Sequence, residues 1–253
     1  MRRWLWVLAL GLLWPPHAAA AECGASVWRA YHDTKLRRFP DSDAYFYATQ
    51  HMEIDADGAP NAYHPQDKGL DAIANAGFPN GGWKGVLVAD PSEPSRPFVQ
   101  PDGEFAGYFV AKTSLQDKTR SETDPARYVD ARTVPYIVFP GAFMALSGTG
   151  GYGDLAMVRL LSGEKQSPAV IADGGPREAP LGEVSIALAE NLGGHNVNPR
   201  NGAGKPIGTF VYVIFPKSRF QPAWPVDPIE MERQAIARLS VLGGWDKIIS
   251  CLR

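Results

Sequence analysis

The chain has 253 residues, with 25 basic and 27 acidic side chains and a formal net charge of −2. No basic stripe or run interrupts that balance, which excludes the electrostatic footprint of a nucleic-acid binder. A mildly acidic protein suits a neutral or cationic ligand better than a polyanion.

Taken in chain order, the sequence begins with a signal pattern. Arg2 and Arg3 form a basic start, Leu5 to Leu13 an apolar stretch, and Ala18 to Ala21 a run of small residues, so residues 1–21 read as a secretory signal peptide cleaved before Glu22. The apolar run stops at Pro15-Pro16, short of the roughly 20 residues a membrane span needs. The mature chain, 22–253, is then one exported catalytic domain, secreted or periplasmic, without a membrane anchor. Its two cysteines, Cys23 and Cys251, stand at opposite ends. An oxidising compartment favours a disulfide between them.

Short apolar segments follow, punctuated by 26 glycines and 22 prolines. Strands are expected at Gly107–Thr113, Thr133–Pro140, Leu155–Leu161, Ala169–Ala172 and Gly208–Phe215, all rich in Val, Ile, Tyr and Phe. The run Pro135-Tyr-Ile-Val-Phe-Pro140 is echoed by Val211-Tyr-Val-Ile-Phe-Pro216, which fits a barrel of two similar halves. Residues 67–82 and 89–104 read as loops, with one helical turn around Leu70–Ala76. A short helix is expected from Ser185 to Leu192, ended by Gly193-Gly194. A second begins with Asp227 as N-cap and Pro228 at its first position. Ile229, Ile236, Leu239 and Leu242 are expected to line its buried face.

Chemistry gathers at two acids. Asp173 follows the strand Ala169–Ala172 and precedes Gly174-Gly175-Pro176, which puts it on the rim of the fold. Ten residues later, Glu183 stands where the short helix begins. Each alone has a bland reading, a turn-forming Asp and a helix-start Glu. Together, two carboxylates converging on one cleft are the minimum equipment for cleaving a glycosidic bond. A helix N-terminus lowers a carboxylate's pKa, whereas a general acid needs it raised, so these residues alone leave open which acid holds the proton.

Other motifs point less firmly. Met52-Glu53-Ile54-Asp55-Ala56-Asp57-Gly58 partly imitates a calcium loop, but its twelfth position is His64 and not a bidentate Glu. It reads as a polar turn or a cleft wall. Gly148-Thr-Gly-Gly-Tyr-Gly153 matches the dinucleotide fingerprint, yet the β-like segment after it is too short for the required helix, so a hairpin turn is expected. His32, His51, His64 and His195 show no metal spacing, and no G-x-S-x-G elbow occurs. Neither metal nor cofactor is expected. Trp83, Tyr108 and Trp224 fit either the core or sugar-stacking positions.

The order Met52–Gly58, Gly107–Asp117, Val134–Pro140, Val170–Pro176 and Leu181–Ala189 resembles the chitosanases of glycoside hydrolase family 75, collinearly from about Tyr45 to Ser218. The resemblance implies an inverting endo-acting hydrolase of β-1,4-linked glucosamine polymers. Asp173 and Glu183 would be its catalytic pair, with Asp173 as base and Glu183 as acid. Glu53, Asp55, Asp57 and Asp117 would bind the cationic substrate along the cleft. Fungal members often carry a cysteine where this chain has Ala56.

A wider similarity to double-psi β-barrels implies the fold: mainly β with peripheral helices, a six-stranded double-psi β-barrel with loop insertions and a C-terminal helix. It also defines two rivals. One is a peptidoglycan-active lytic transglycosylase or muramidase, and the other is a non-hydrolytic expansin-like carbohydrate-binding protein. In every case the partner is a polysaccharide, and the protein is expected to be a monomer.

Overall fold

A computed structural model describes residues 23–252. The expected signal peptide and its cleavage point lie outside the described residues. Nine strands are found: β1 (Ser26–Tyr31), β2 (Thr34–Arg38), β3 (Tyr45–Thr49), β4 (Glu53–Asp55), β5 (Tyr136–Pro140), β6 (Leu155–Leu160), β7 (Gln166–Gly175), β8 (Glu183–Ser185) and β9 (Phe210–Phe215). The helices are α1 (Gly141–Met144), α2 (Ile186–Asn191), α3 (Pro228–Val241) and α4 (Gly244–Ser250). The protein is therefore mainly β, with few and short helices.

All nine strands join one mixed sheet in the order β1-β2-β3-β9-β6-β7-β5-β8-β4. Pairing is antiparallel except at β5/β7 and β4/β8. The expected closed barrel of six strands is not what the pairing gives: the sheet is open, with β1 and β4 at its edges. The difference begins with the hairpin β1/β2, which extends the sheet beyond β3. Its strands carry Arg29, Lys35, Arg37 and Arg38 and lack the apolar run by which the central strands announce themselves.

Those central strands are legible because both of their faces are covered. Every residue of β5 (YIVFP) and of β9 (FVYVIF) is buried, so each reads as a continuous apolar run without alternation. One core cluster spans the sheet, α2, α3 and α4, with a small satellite at Val88, Val110 and Tyr128.

Several expected boundaries move. The strand predicted at Gly107–Thr113 is replaced by single bridges, Leu87 to Ala111 and Val99 to Phe109. Its partner segment contains Pro91, Pro94 and Pro97, which cannot donate to a continuous ladder. Leu70–Ala76 forms hydrogen-bonded turns and not a helical turn. The Gly148–Gly153 run joins α1 to β6 rather than two strands. It is pinned there by Asp154, whose Oδ2 accepts the Gly151 N–H at 2.9 Å.

At the C-terminus, α3 is capped as expected, with Asp227 Oδ1 accepting the N–H groups of Ile229 and Glu230. Its buried face is Met231, Ala235 and Leu239, whereas Ile229 and Ile236 are exposed. The i, i+4, i+8 stripe wins because Ala235 lets the helix sit close to β6 and β7. Cys23 and Cys251 form a disulfide with Cα atoms 5.0 Å apart, tying β1's approach to the end of α4. No helix among the described residues is long and apolar enough to cross a membrane.

Candidate active site

The site is built where β7, β8 and β4 lie close together at one end of the sheet. In β7, Ile137 of β5 faces Ile171 while the next residue, Val138, faces Asp173. Ala172 is therefore an extra residue, a β-bulge of the kind that bends a strand and re-aims a side chain. The carbonyl freed at the bulge accepts the Leu115 N–H at 2.8 Å. That contact docks the 113–117 segment beside Asp173. The strand continues to Gly175, so Asp173 lies within β7 and not beyond its end.

Glu183 also lies in a strand. It opens β8, pairs in parallel with Glu53 of β4, and is two residues ahead of the α2 N-cap. That cap is Ser185, whose hydroxyl oxygen accepts the Leu188 N–H at 3.1 Å. The expectation that a helix terminus would hold down the pKa of Glu183 is thereby corrected. Two glycines make room for the Glu183 side chain and strand. A Cβ at Gly175 would fall 2.7 Å from Glu183 Oε2, and one at Gly182 (φ +129°) would fall 2.2 Å from the His51 carbonyl oxygen.

Both acids open on one cleft of about 610 Å³, whose lining also includes Glu53, Asp55, Asp57, Tyr63 and Asp71. Single carboxylate oxygens of Asp55, Asp57 and Asp173 lie within 4.8 Å of one another. Asp55, from β4, and Asp57, from the turn after it, are both pushed well above the ordinary carboxylate range, first by burial and then by neighbouring negative charge. Hydrogen bonds from the Asp57 N–H and the Tyr136 hydroxyl oppose that rise at Asp55. The Tyr136 hydroxyl oxygen is 2.9 Å from both Asp55 Oδ2 and the Asp57 carbonyl oxygen. Its one proton is shared between these two acceptors, and its bond to Asp55 favours the ionised carboxylate. Tyr63 donates to Asp57 Oδ1 at 2.8 Å.

The environments of Asp173 and Glu183 differ. Asp173 Oδ1 accepts the Ser114 N–H at 3.0 Å, the Ser114 hydroxyl at 2.6 Å and its neighbour Gly174's N–H at 2.7 Å. Burial raises its pKa, while these donors and the Lys112 ammonium oppose the rise. Glu183 receives no hydrogen bond among the described residues, and burial, followed by the charges of Asp173 and Glu53, pushes it up to about 7. Two carboxyls in one cleft with opposed environments are the arrangement that divides acid from base.

Of the expected substrate-binding residues, Asp55 and Asp57 are at the cleft's floor, and Glu53 is exposed at its edge. Asp117 is not in this cleft. It lines a neighbouring hollow with Trp224. Its Oδ1 accepts the N–H and hydroxyl of Thr119, and these bonds hold its pKa below the ordinary range. Trp83 is buried in the core, and Tyr108 packs edge-on against His64 and Phe105 away from the cleft. Sequence reasoning missed Ser114, Tyr63, Asp71 and Tyr136. Ser114 stands inside a quoted motif, but nothing local marks it as the partner of a residue 59 positions away. Asp71 sits in a segment that reads as a loop.

The three clustered aspartates also have the form of a site for a hard cation. Both oxygens of Asp55, Oδ1 of Asp57 and Oδ1 of Asp173 already accept hydrogen bonds. Burial pushes all three carboxyls toward their protonated forms, and a proton competes with a cation for the same oxygens. No protein-family model matches the chain, and no curated protein matches it significantly.

Proposed function

We propose that this chain is an exported glycoside hydrolase of the chitosanase type, cutting β-1,4-linked glucosamine polymers by single displacement. The observation that carries this reading is the opposed pair of carboxyls in one cleft: Asp173, whose charge three donors support, and Glu183, unpartnered and raised to about 7. In the proposed reaction, Glu183 in its acid form protonates the leaving glycosidic oxygen. Asp173 in its ionised form takes a proton from water as that water attacks the anomeric carbon from the opposite face. The sugar's configuration inverts, and the proton lost by Glu183 is regained from solvent.

Substrate class follows from charge. Glu53, Asp55, Asp57, Asp71, Asp173 and Glu183 all line the cleft, and no Lys or Arg among the described residues does. Burial and mutual repulsion hold Asp55 and Asp57 toward their neutral forms, and a bound glucosamine ammonium would offset that repulsion and favour their ionisation. A wall glycan with lactyl carboxylates would add negative charge to an acidic, half-enclosed site, which disfavours the peptidoglycan alternative. The disulfide is consistent with an oxidising, extracytoplasmic destination. The finer reading of the fold that accompanies this proposal is a double-psi topology. It is supported by the two parallel pairs, β5/β7 and β4/β8, set in an otherwise antiparallel sheet.

The test is release of reducing ends from chitosan by the mature chain between about pH 4 and pH 8. The mechanism requires activity on the acid side of neutrality, falling as Glu183 loses its proton. No release at any pH in that range overturns the proposal. Anhydro products would indicate a lytic transglycosylase, and binding without cleavage an expansin-like protein.

A further inference from the structure

A second hollow begins on the other side of Ser114. It measures about 580 Å³, with one wall along the 114–119 segment and the other along the 222–225 segment, where Trp224 is half-buried. Nothing in the acid–base chemistry above uses it. Two contacts join it to the catalytic strand. Ser114 lines this hollow and donates its N–H and its hydroxyl to Asp173, while the N–H of Leu115, also in its wall, binds the carbonyl of Ala172 at the β7 bulge. The opposite wall is seated on the turn before β6 at Gly153 (φ +90°), where a Cβ would fall 3.0 Å from Ala223 Cβ.

Asp173 lines the main cleft and is hydrogen-bonded to Ser114 of the second hollow, so the two adjoin at that contact, each within the roughly 300–1,000 Å³ typical of ligand sites. An enzyme that cuts a polymer internally holds sugar units on both sides of the reacting bond, and a hollow that adjoins the main cleft at the Ser114–Asp173 contact offers room for some of them. Asp117 and Lys118 stand together on one wall of the second hollow. It consequently has no strong charge preference, and the indole face is its main recognition element. A sugar ring presents an apolar C–H face that stacks on such a surface.

Building on the hydrolase reading above, we propose that the Trp224 hollow is a second sugar subsite. It takes the units of the same glycan chain that lie beyond the scissile bond from Asp55 and Asp57. The occupant is the substrate itself and not a separate protein or a second oligosaccharide.

The experiment is calorimetric titration of a glucosamine hexamer into the full mature chain carrying Asp173→Asn, with and without changes at Trp224. Trp224→Ala is expected to weaken hexamer binding about tenfold, as loss of one stacked face implies. Trp224→Leu keeps the apolar bulk and should weaken binding similarly even if the alanine variant folds poorly. Trp224→Tyr restores a stacking face and should stay within about threefold of its parent. Unchanged hexamer affinity in both the alanine and leucine variants, while the unmodified chain cuts chitosan, overturns the subsite and leaves the hydrolase reading standing. A chain that neither cuts nor binds any glucosamine polymer removes that reading and the subsite with it.

Discussion

Replacing Glu183 by Gln separates the proposed acid's role in stability from its role in catalysis. The folded chain raises the Glu183 pKa from the ordinary 4.5 to about 7, so it holds this proton more tightly than the unfolded chain does. The resulting stabilisation is fully present below about pH 4.5 and is lost as pH rises through about 7. At about 1.4 kcal/mol for each tenfold in proton affinity, the loss is about 3 kcal/mol. Gln cannot ionise, so the variant should match the parent near pH 4.5 and exceed it by about 3 kcal/mol near pH 8. For a chain of this size that is roughly 6–12 °C in melting temperature. Thermal or urea unfolding of both proteins at the two pH values reads the difference, together with the easier ionisation of Asp55 and Asp57 once the Glu183 charge is gone. Activity on chitosan should fall by roughly 10²–10⁴, the usual worth of a general acid. A variant whose stability tracks the parent at both pH values would refute the buried, proton-holding Glu183 on which the mechanism rests.

Four further outcomes follow from named contacts. Ser114→Ala removes a 2.6 Å hydrogen bond to Asp173, so the acidic limb of the pH–rate profile should move to higher pH while the alkaline limb stays; an unmoved acidic limb would show that Asp173 is not the base. Arg200 donates to the carbonyls of Asp67, Gly69 and Asp71, so Arg200→Ala should loosen the loop that carries Asp71 and raise KM more than it lowers kcat, as steady-state kinetics would read. Chelation should leave activity unchanged, because the proposed reaction takes its acid and base from Glu183 and Asp173; loss of activity in EDTA restored by one divalent ion would contradict this. Replacing both Cys23 and Cys251 with Ser opens a link spanning 228 positions. That should cost about 5 kcal/mol in the chain-entropy account, seen as a lower urea midpoint.

What the sequence made legible was whatever a short window contains. The Val, Ile and Phe runs of β5, β6 and β9 appear at their expected places because burial on both faces writes itself as a continuous apolar string. Asp227-Pro228 marks the start of α3 through cap chemistry that is equally local. Strands β1 and β2 were hidden because a hairpin rich in Arg and Lys has no such run. The β8 strand was hidden because three residues are too few to show a period. At the site, the motif residues Asp173, Glu183, Glu53, Asp55 and Asp57 share one cleft, whereas Asp117 lines the hollow beside it. The Asp173–Ser114 contact crosses 59 positions and depends on a bulge at Ala172, and no pattern of residues announces a bulge. Glu183 was read as a helix-start residue because Ser185, the actual N-cap, follows it by only two.

The most direct test of the central claim is the anomeric form of the first product, followed by NMR as the mature chain cleaves a β-1,4-glucosamine oligomer. With Asp173 activating water opposite Glu183, the new reducing end must appear first as the α-anomer and mutarotate afterwards. An initial β-anomer, or an anhydro sugar, would contradict the proposed roles of these two carboxyls.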